Sequence, residues 1–215
     1  VDDGIYSSNV ANGGATVSVA GLTYGSKTAI VSYSNDENYM ADSKTVNFNV
    51  NKINPSFTIP LSNINVGDDA VFVITGPADA SGNIVLVVDN ETYSANVVNG
   101  NAQITVSDLT AGRKTATFTY SGDDKYLSRE YTKIFAVNKV NPDLTLSFND
   151  NVHVGDSVEF TVNLNPDATG TVTVTSDGRT GTADVENGIA TDVYCYSYSI
   201  WNEDNWEYEY KKYTL

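Results

Sequence analysis

The chain reads as an all-β protein built from tandem antiparallel sandwiches, with about seven strands per repeat. Three observations predict this: an internal repeat of about 87 residues, apolar residues alternating with polar ones inside each repeat, and Asn-Gly pairs between the alternating segments. "VDDGIYSSNVANGG" (1–14) lines up with "VDNETYSANVVNGN" (88–101), and "NKINP" (51–55) with "NKVNP" (138–142), both displaced by 87. "VGDDAVF" (66–72) meets "VGDSVEF" (154–160), and "NVVNG" (96–100) meets "DVENG" (184–188), at a displacement of 88. Residues 1–51 are then the C-terminal part of a first copy, 52–138 a complete copy, and 139–215 the N-terminal part of a third. The third carries an atypical aromatic tail from about 191.

Each strand follows from comparing the copies. Phe57 and Ile59 match Leu144 and Leu146 between polar neighbours. Ala70, Phe72 and Ile74 match Val158, Phe160 and Val162, while Val71 and Val73 become Glu159 and Thr161. One parity stays apolar, which is the period of a half-buried strand. Ile84 and Leu86 match Val172 and Val174; Ile104, Val106 and Leu109 match Val17, Val19 and Leu22. Ala116, Phe118 and Tyr120 match Ala29, Val31 and Tyr33, with Thr115, Thr117 and Thr119 facing out. Asn12-Gly13, Asn99-Gly100, Asn187-Gly188 and Asp177-Gly178 suit two-residue hairpins, which need positive φ twice. No stretch has sustained helical periodicity.

Composition narrows the function. The formal net charge is -15, from 27 acidic and 12 basic residues, a field that repels nucleic acid and anionic lipid. No run approaches the roughly 20 apolar residues of a membrane-spanning helix, so direct membrane insertion of this segment is not expected. Cys195 is the only cysteine, which excludes a disulfide framework and a cysteine metal site. The chain starts at Val1 and its single Met is Met40, so it reads as a piece of something longer.

The order "VGDDAVF", "SDLTAGRKTATFTYSGDDKY" and "KIFAVNK" resembles the immunoglobulin-like repeats of bacterial and archaeal cell-surface adhesin-like proteins. In that family a strand ending in Tyr runs into a Gly-Asp loop and a second Tyr, as Tyr120, Gly122, Asp123 and Tyr126 do. The resemblance covers residues 1 to about 190. It implies an extracellular, cell-surface stalk or adhesive module with no enzymatic activity. Other cells, surface proteins, glycans and neighbouring repeats of the same chain would be its partners. The alternative is a carbohydrate- or calcium-binding accessory module of a secreted enzyme. "YSNDENY" (33–39) departs from the motif, with Asn35 at the place of Gly122.

No catalytic residue or cofactor is assigned. Paired carboxylates could do acid–base work, but Asp36 and Glu37, Asp123 and Asp124, and Asp68 and Asp156 recur in turns, where Asp bonds backbone anyway. Ca²⁺ prefers clustered carboxylate oxygens, and Asp36, Asp123 and Asp124 are the candidates for it. His153, whose counterpart is Asn65, has no neighbouring ligand in sequence and reads as an exposed loop residue. Asn90-Glu91-Thr92 is a glycosylation sequon on an expected turn, with Asn90 the acceptor. Lys52 and Lys139 recur beside the junctions and are poor candidates for Lys–Asn cross-links.

The junctions "NKINP" and "NKVNP" have no Gly/Ser spacer, so stacked repeats would form a stiff rod. The tail holds both Trp residues, Cys195 and six of the 14 Tyr. Exposed Tyr and Trp are good contact residues, so one reading of the tail is a genuine aromatic strand or binding patch. The other is a frame-shifted repeat, because residues 199–205, back-translated one base later, permit Pro-Tyr-Gly-Thr-Lys-Thr, similar to "TYGSKT" at 23–28. Residues 139–176 and 1–51 are then complementary pieces that could complete one another between molecules.

Overall fold

The computed structural model describes residues 1–151, 153, 158–176, 179–190, 198–202 and 207–211. Among these, about half are in strands and none is in a helix. The chain divides into two units, Val1–Lys139 and Val140–Leu215.

The first unit contains β1 (Gly25–Tyr33), β2 (Asp42–Val50), β3 (Ile64–Asn65), β4 (Ala70–Thr75), β5 (Gly82–Val88), β6 (Glu91–Val97), β7 (Asn101–Val106), β8 (Gly112–Tyr120) and β9 (Arg129–Asn138). Seven of these belong to residues 52–138. They form a five-stranded sheet, β3-β9-β8-β5-β6, and a two-stranded sheet, β4-β7. The alternation expected from the sequence decides the packing. Ala70, Phe72 and Ile74 of β4, Ala102, Ile104 and Val106 of β7, and Ala116, Phe118 and Tyr120 of β8 are all buried, together with Ile84, Leu86 and Val88 of β5. These side chains make one core, in which Phe72 meets Phe118 and Phe135 edge-on at 5.3 and 5.8 Å. Burying each large apolar side chain is worth about 1.5–3 kcal/mol.

The start of this copy serves both sheets. Phe57 and Ile59 are buried, and Thr58 bridges Thr75, the last residue of β4. Further on, β3 runs parallel to β9, with Ile64 opposite Val137. One segment thereby covers an edge of each sheet.

Strands β1 and β2 pair in the register of β8 and β9 displaced by 87: Ala29 opposes Val46 as Ala116 opposes Lys133, and Tyr33 opposes Asp42 as Tyr120 opposes Arg129. Yet the face that is core in β8 is only half-buried in β1. Val31 is 62% exposed where its counterpart Phe118 is 1% exposed. The strand expected around Val17 and Val19 is not formed. Its counterpart β7 pairs with β4, and β6 pairs with β5; residues 1–24 have neither partner. A strand is stabilised by its cross-strand neighbours rather than by its own sequence.

The second unit contains β10 (Thr145–Phe148), β11 (Phe160–Asn163), β12 (Gly170–Ser176), β13 (Arg179–Val185), β14 (Ile189–Ala190), β15 (Tyr198–Asn202) and β16 (Glu207–Lys211). Here too the registers return at the repeat displacement. Gly170 opposes Val185 as Gly82 opposes Val97, and Val162 opposes Ala190 as Ile74 opposes Ala102. The core is small: Val162, Val185 and Ala190, flanked by Leu164, Ala168, Val172 and Ala183. Leu144 and Leu146, matched to buried Phe57 and Ile59, are more than half exposed. Strands β15 and β16 pair only with each other in the described sheets. Cys195, Asp156, the Asp177-Gly178 turn and much of the tail lie outside the described residues.

Candidate functional site

The feature that most resembles a site is the corner after β8. Tyr120 ends the buried row, and its hydroxyl donates to the Ser81 carbonyl at 2.6 Å and to Asp123 Oδ2 at 2.9 Å. The same carboxylate accepts from the Ser81 amide at 2.8 Å, and from the amides of Lys125 and Tyr126 at 2.8 and 2.7 Å. Desolvation raises the Asp123 carboxyl, but the amides of Ser81, Tyr126 and Lys125 and the Tyr120 hydroxyl outweigh it and hold it down at about 2. Burial, reinforced by the bond to Asp123, pushes the Tyr120 phenol up. A second carboxylate supports the corner from below: Asp79 accepts from Lys125 and from the Tyr126 hydroxyl.

The arrangement recurs in the first copy. Asp36 accepts from the amides of Asn38 and Tyr39, each at 2.8 Å, and its amide donates to the Tyr39 carbonyl as that of Asp123 donates to Tyr126. The Tyr33 hydroxyl, followed by those two amides, lowers the Asp36 carboxyl. Asn35 replaces Gly122 without changing the backbone class: φ is 102° at Asn35 and 78° at Gly122. Asn is one of the few side chains that tolerate positive φ.

This chemistry suits a brace. With both Asp123 oxygens filled by N–H and O–H donors, a cation would have to displace them. A carboxyl held near 2 is also a weak general base at neutral pH. Of the other calcium candidates, Asp36 is exposed and holds both turn amides on one oxygen, Oδ1, and Asp124 is exposed beside Asp123. Among the described residues no group of three or more His, Cys, Asp or Glu side chains could hold a metal ion. His153 is exposed.

A second recurring set was not anticipated from the sequence. Lys114, 6% exposed, continues the inward row of Ala116, Phe118 and Tyr120. Its ammonium donates to Asp89 and to the Thr110 hydroxyl, the latter at 2.9 Å. Displaced by 87, Lys27 donates to Asp2 and Thr23, both at 2.8 Å. The signal was present in the sequence: Lys, Asp and Thr recur together, with Lys at an inward position.

At the junction, Lys52 Nζ donates to the Asp123 carbonyl at 2.5 Å and lies 5.1 Å from the Tyr24 ring centre. It therefore meets a main-chain oxygen and an aromatic face rather than a carboxamide; Lys139 is exposed. Asn90 sits at the tip of the β5–β6 hairpin with φ 65°, exposed to solvent. A shallow open groove is lined by Pro60, Leu61, Ser62, Ile64, Asp69 and Val71, and Asp69 is its one titratable group.

The chain matches no protein-family model, and no curated protein matches it.

Proposed function

We propose that this chain is a run of immunoglobulin-like sandwich repeats acting as a structural or adhesive spacer in a cell-surface, adhesin-like protein. The observation that carries the reading is the return of strand register at the sequence period: β8–β9 on β1–β2, β5–β6 on β12–β13, and β4–β7 on β11–β14. Repeats that keep pairing register, not only composition, are copies of one structural unit. Support for the immunoglobulin-like form comes from residues 52–138, where seven strands form two sheets and the first segment borders both.

Support for a non-catalytic role comes from where the polar chemistry goes. In residues 52–138 the Tyr-Asp corner and the Lys-Asp-Thr set are part-buried and bond to the fold itself, and both recur at domain period in the first copy. The junction adds to the spacer reading: after β2 ends at Val50, Ile53 is already bonded to Lys125 and Leu127. Two residues remain between them, too few for a flexible linker.

A glycan array probed with the chain, with and without EDTA, tests the reading. A spacer gives no chelator-sensitive signal. Saturable binding lost on chelation would replace it with a calcium-dependent carbohydrate module.

A further inference from the structure

We propose that Lys52 clasps the joint between the first copy and the complete repeat and fixes their relative orientation. A short joint limits reach but not rotation. Gly25 opposes Val50 at the end of β2. Ile53 lies parallel to Tyr126, its amide donating to the Lys125 carbonyl and its carbonyl accepting from Leu127, both at 2.9 Å. Pro55 is buried, and its carbonyl accepts from Arg129 and Tyr131 at 2.9 and 3.0 Å. Asn51 and Lys52 stand between these two anchored stretches, and each brings two soft backbone dihedrals. Main-chain pairing alone therefore leaves one copy free to swivel on the other.

The half-buried Lys52 side chain closes that freedom. Its ammonium donates to the Asp123 carbonyl at 2.5 Å and lies 5.1 Å from the Tyr24 ring centre. Asp123 is a fixed point of the complete repeat, since the Tyr120 hydroxyl and the Ser81 amide hold its carboxylate. Tyr24 is a fixed point of the first copy, because its loop keeps the geometry of the repeat. There φ is 73° at Gly21 and 123° at Gly25, against 58° at Asp108 and 134° at Gly112. Between them Thr23 accepts from Lys27 as Thr110 accepts from Lys114. An ammonium with three donors can serve a carbonyl and a ring face together, so Lys52 ties one rigid point on each side of the joint. Displaced by 87, Lys52 recurs as Lys139 but Tyr24 is replaced by Ala111, so the aromatic half is particular to this joint. The clasp acts at the joint alone, whatever ligand or surface the repeats serve.

Nitroxide labels at Thr45→Cys and Thr132→Cys, exposed positions on β2 and β9, report on the joint in the full chain carrying Cys195→Ser. Double electron–electron resonance then gives the distribution of distances between them, which should be narrow with the native joint. Lys52→Met loses both contacts and should raise the population outside the main peak by at least about tenfold, the factor one charge-assisted hydrogen bond implies. Tyr24→Leu loses only the ring face and should raise it about two- to fivefold. Lys52→Arg keeps the charge and Tyr24→Phe keeps the face, so both should give the native distribution. Hydrogen-exchange protection of residues 112–120 should stay native in all four variants, since the clasp lies outside the core. A native distribution as broad as that of Lys52→Met, or a Tyr24→Leu distribution equal to the native one, would overturn the proposal. So would broadening confined to variants that also lose protection over 112–120.

Discussion

Replacing Asp123 with Asn is the sharpest probe of the corner. The wild-type carboxyl titrates at about 2 when folded, against an ordinary value of 3.8. Converted through linkage, that difference is about 2 kcal/mol at neutral pH. Partial exposure of the corner reduces it to about 1–1.5 kcal/mol. The sign follows from a depressed folded value: the stabilisation is fully present above about pH 4 and is lost as pH falls toward 2. Asp123→Asn also turns an N–H toward the donors of Ser81 or Tyr120, adding about 1 kcal/mol of lost bonding at any pH. Urea equilibration followed by a hydrogen-exchange pulse at one fixed pH, read on peptides from 112–120, isolates this repeat from the rest of the chain. The variant should be less stable at neutral pH by about 2 kcal/mol, with roughly half of the gap closing near pH 2. Identical midpoints at neutral pH, or a gap unchanged by acid, would refute the brace.

Other substitutions follow from the repeat. Phe118→Ala should cost about 3–5 kcal/mol in the stability of residues 52–138, whereas Val31→Ala at the same repeat position should cost under about 0.5 kcal/mol, both read by urea denaturation. Lys114→Ala should cost about 2 kcal/mol through two lost hydrogen bonds and a lost buried stem, while Lys114→Met, which keeps the stem, should cost less. Calcium, added or chelated, should leave the melting temperature unchanged, since the Asp123 oxygens are already occupied. Intact mass spectrometry should return the sequence mass near 23.1 kDa, with no loss of ammonia from a Lys–Asn cross-link.

Much of this was legible in the sequence because local patterns carry it. The inward row of β8, the positive φ of the Asn-Gly pairs and the placing of acids beyond Tyr33 and Tyr120 all follow from parity, turn chemistry and comparison of copies. What escaped depends on residues far apart in the chain. Ser81 supplies two bonds to a corner about 40 residues away, and no spacing rule selects it. Within its own strand Lys114 gives no such signal, because a lysine in an apolar row reads as an interruption, although its ammonium reaches a partner at the end of the row. The unformed strand near Val17 has the right residues but lacks the neighbour that would order them.

The way the complete repeat is tied in at its two ends bears on how it would carry load. Ile53 lies parallel to Tyr126, and Ile64 parallel to Val137. Tension applied through Lys52 and Asn138 would slide these pairs lengthwise, so that their bonds share the force instead of opening one after another like a zip. Extension would then be resisted from the first ångström, and the Tyr120–Asp123 corner, which anchors the partner of Ile53, would be among the first places to feel the pull.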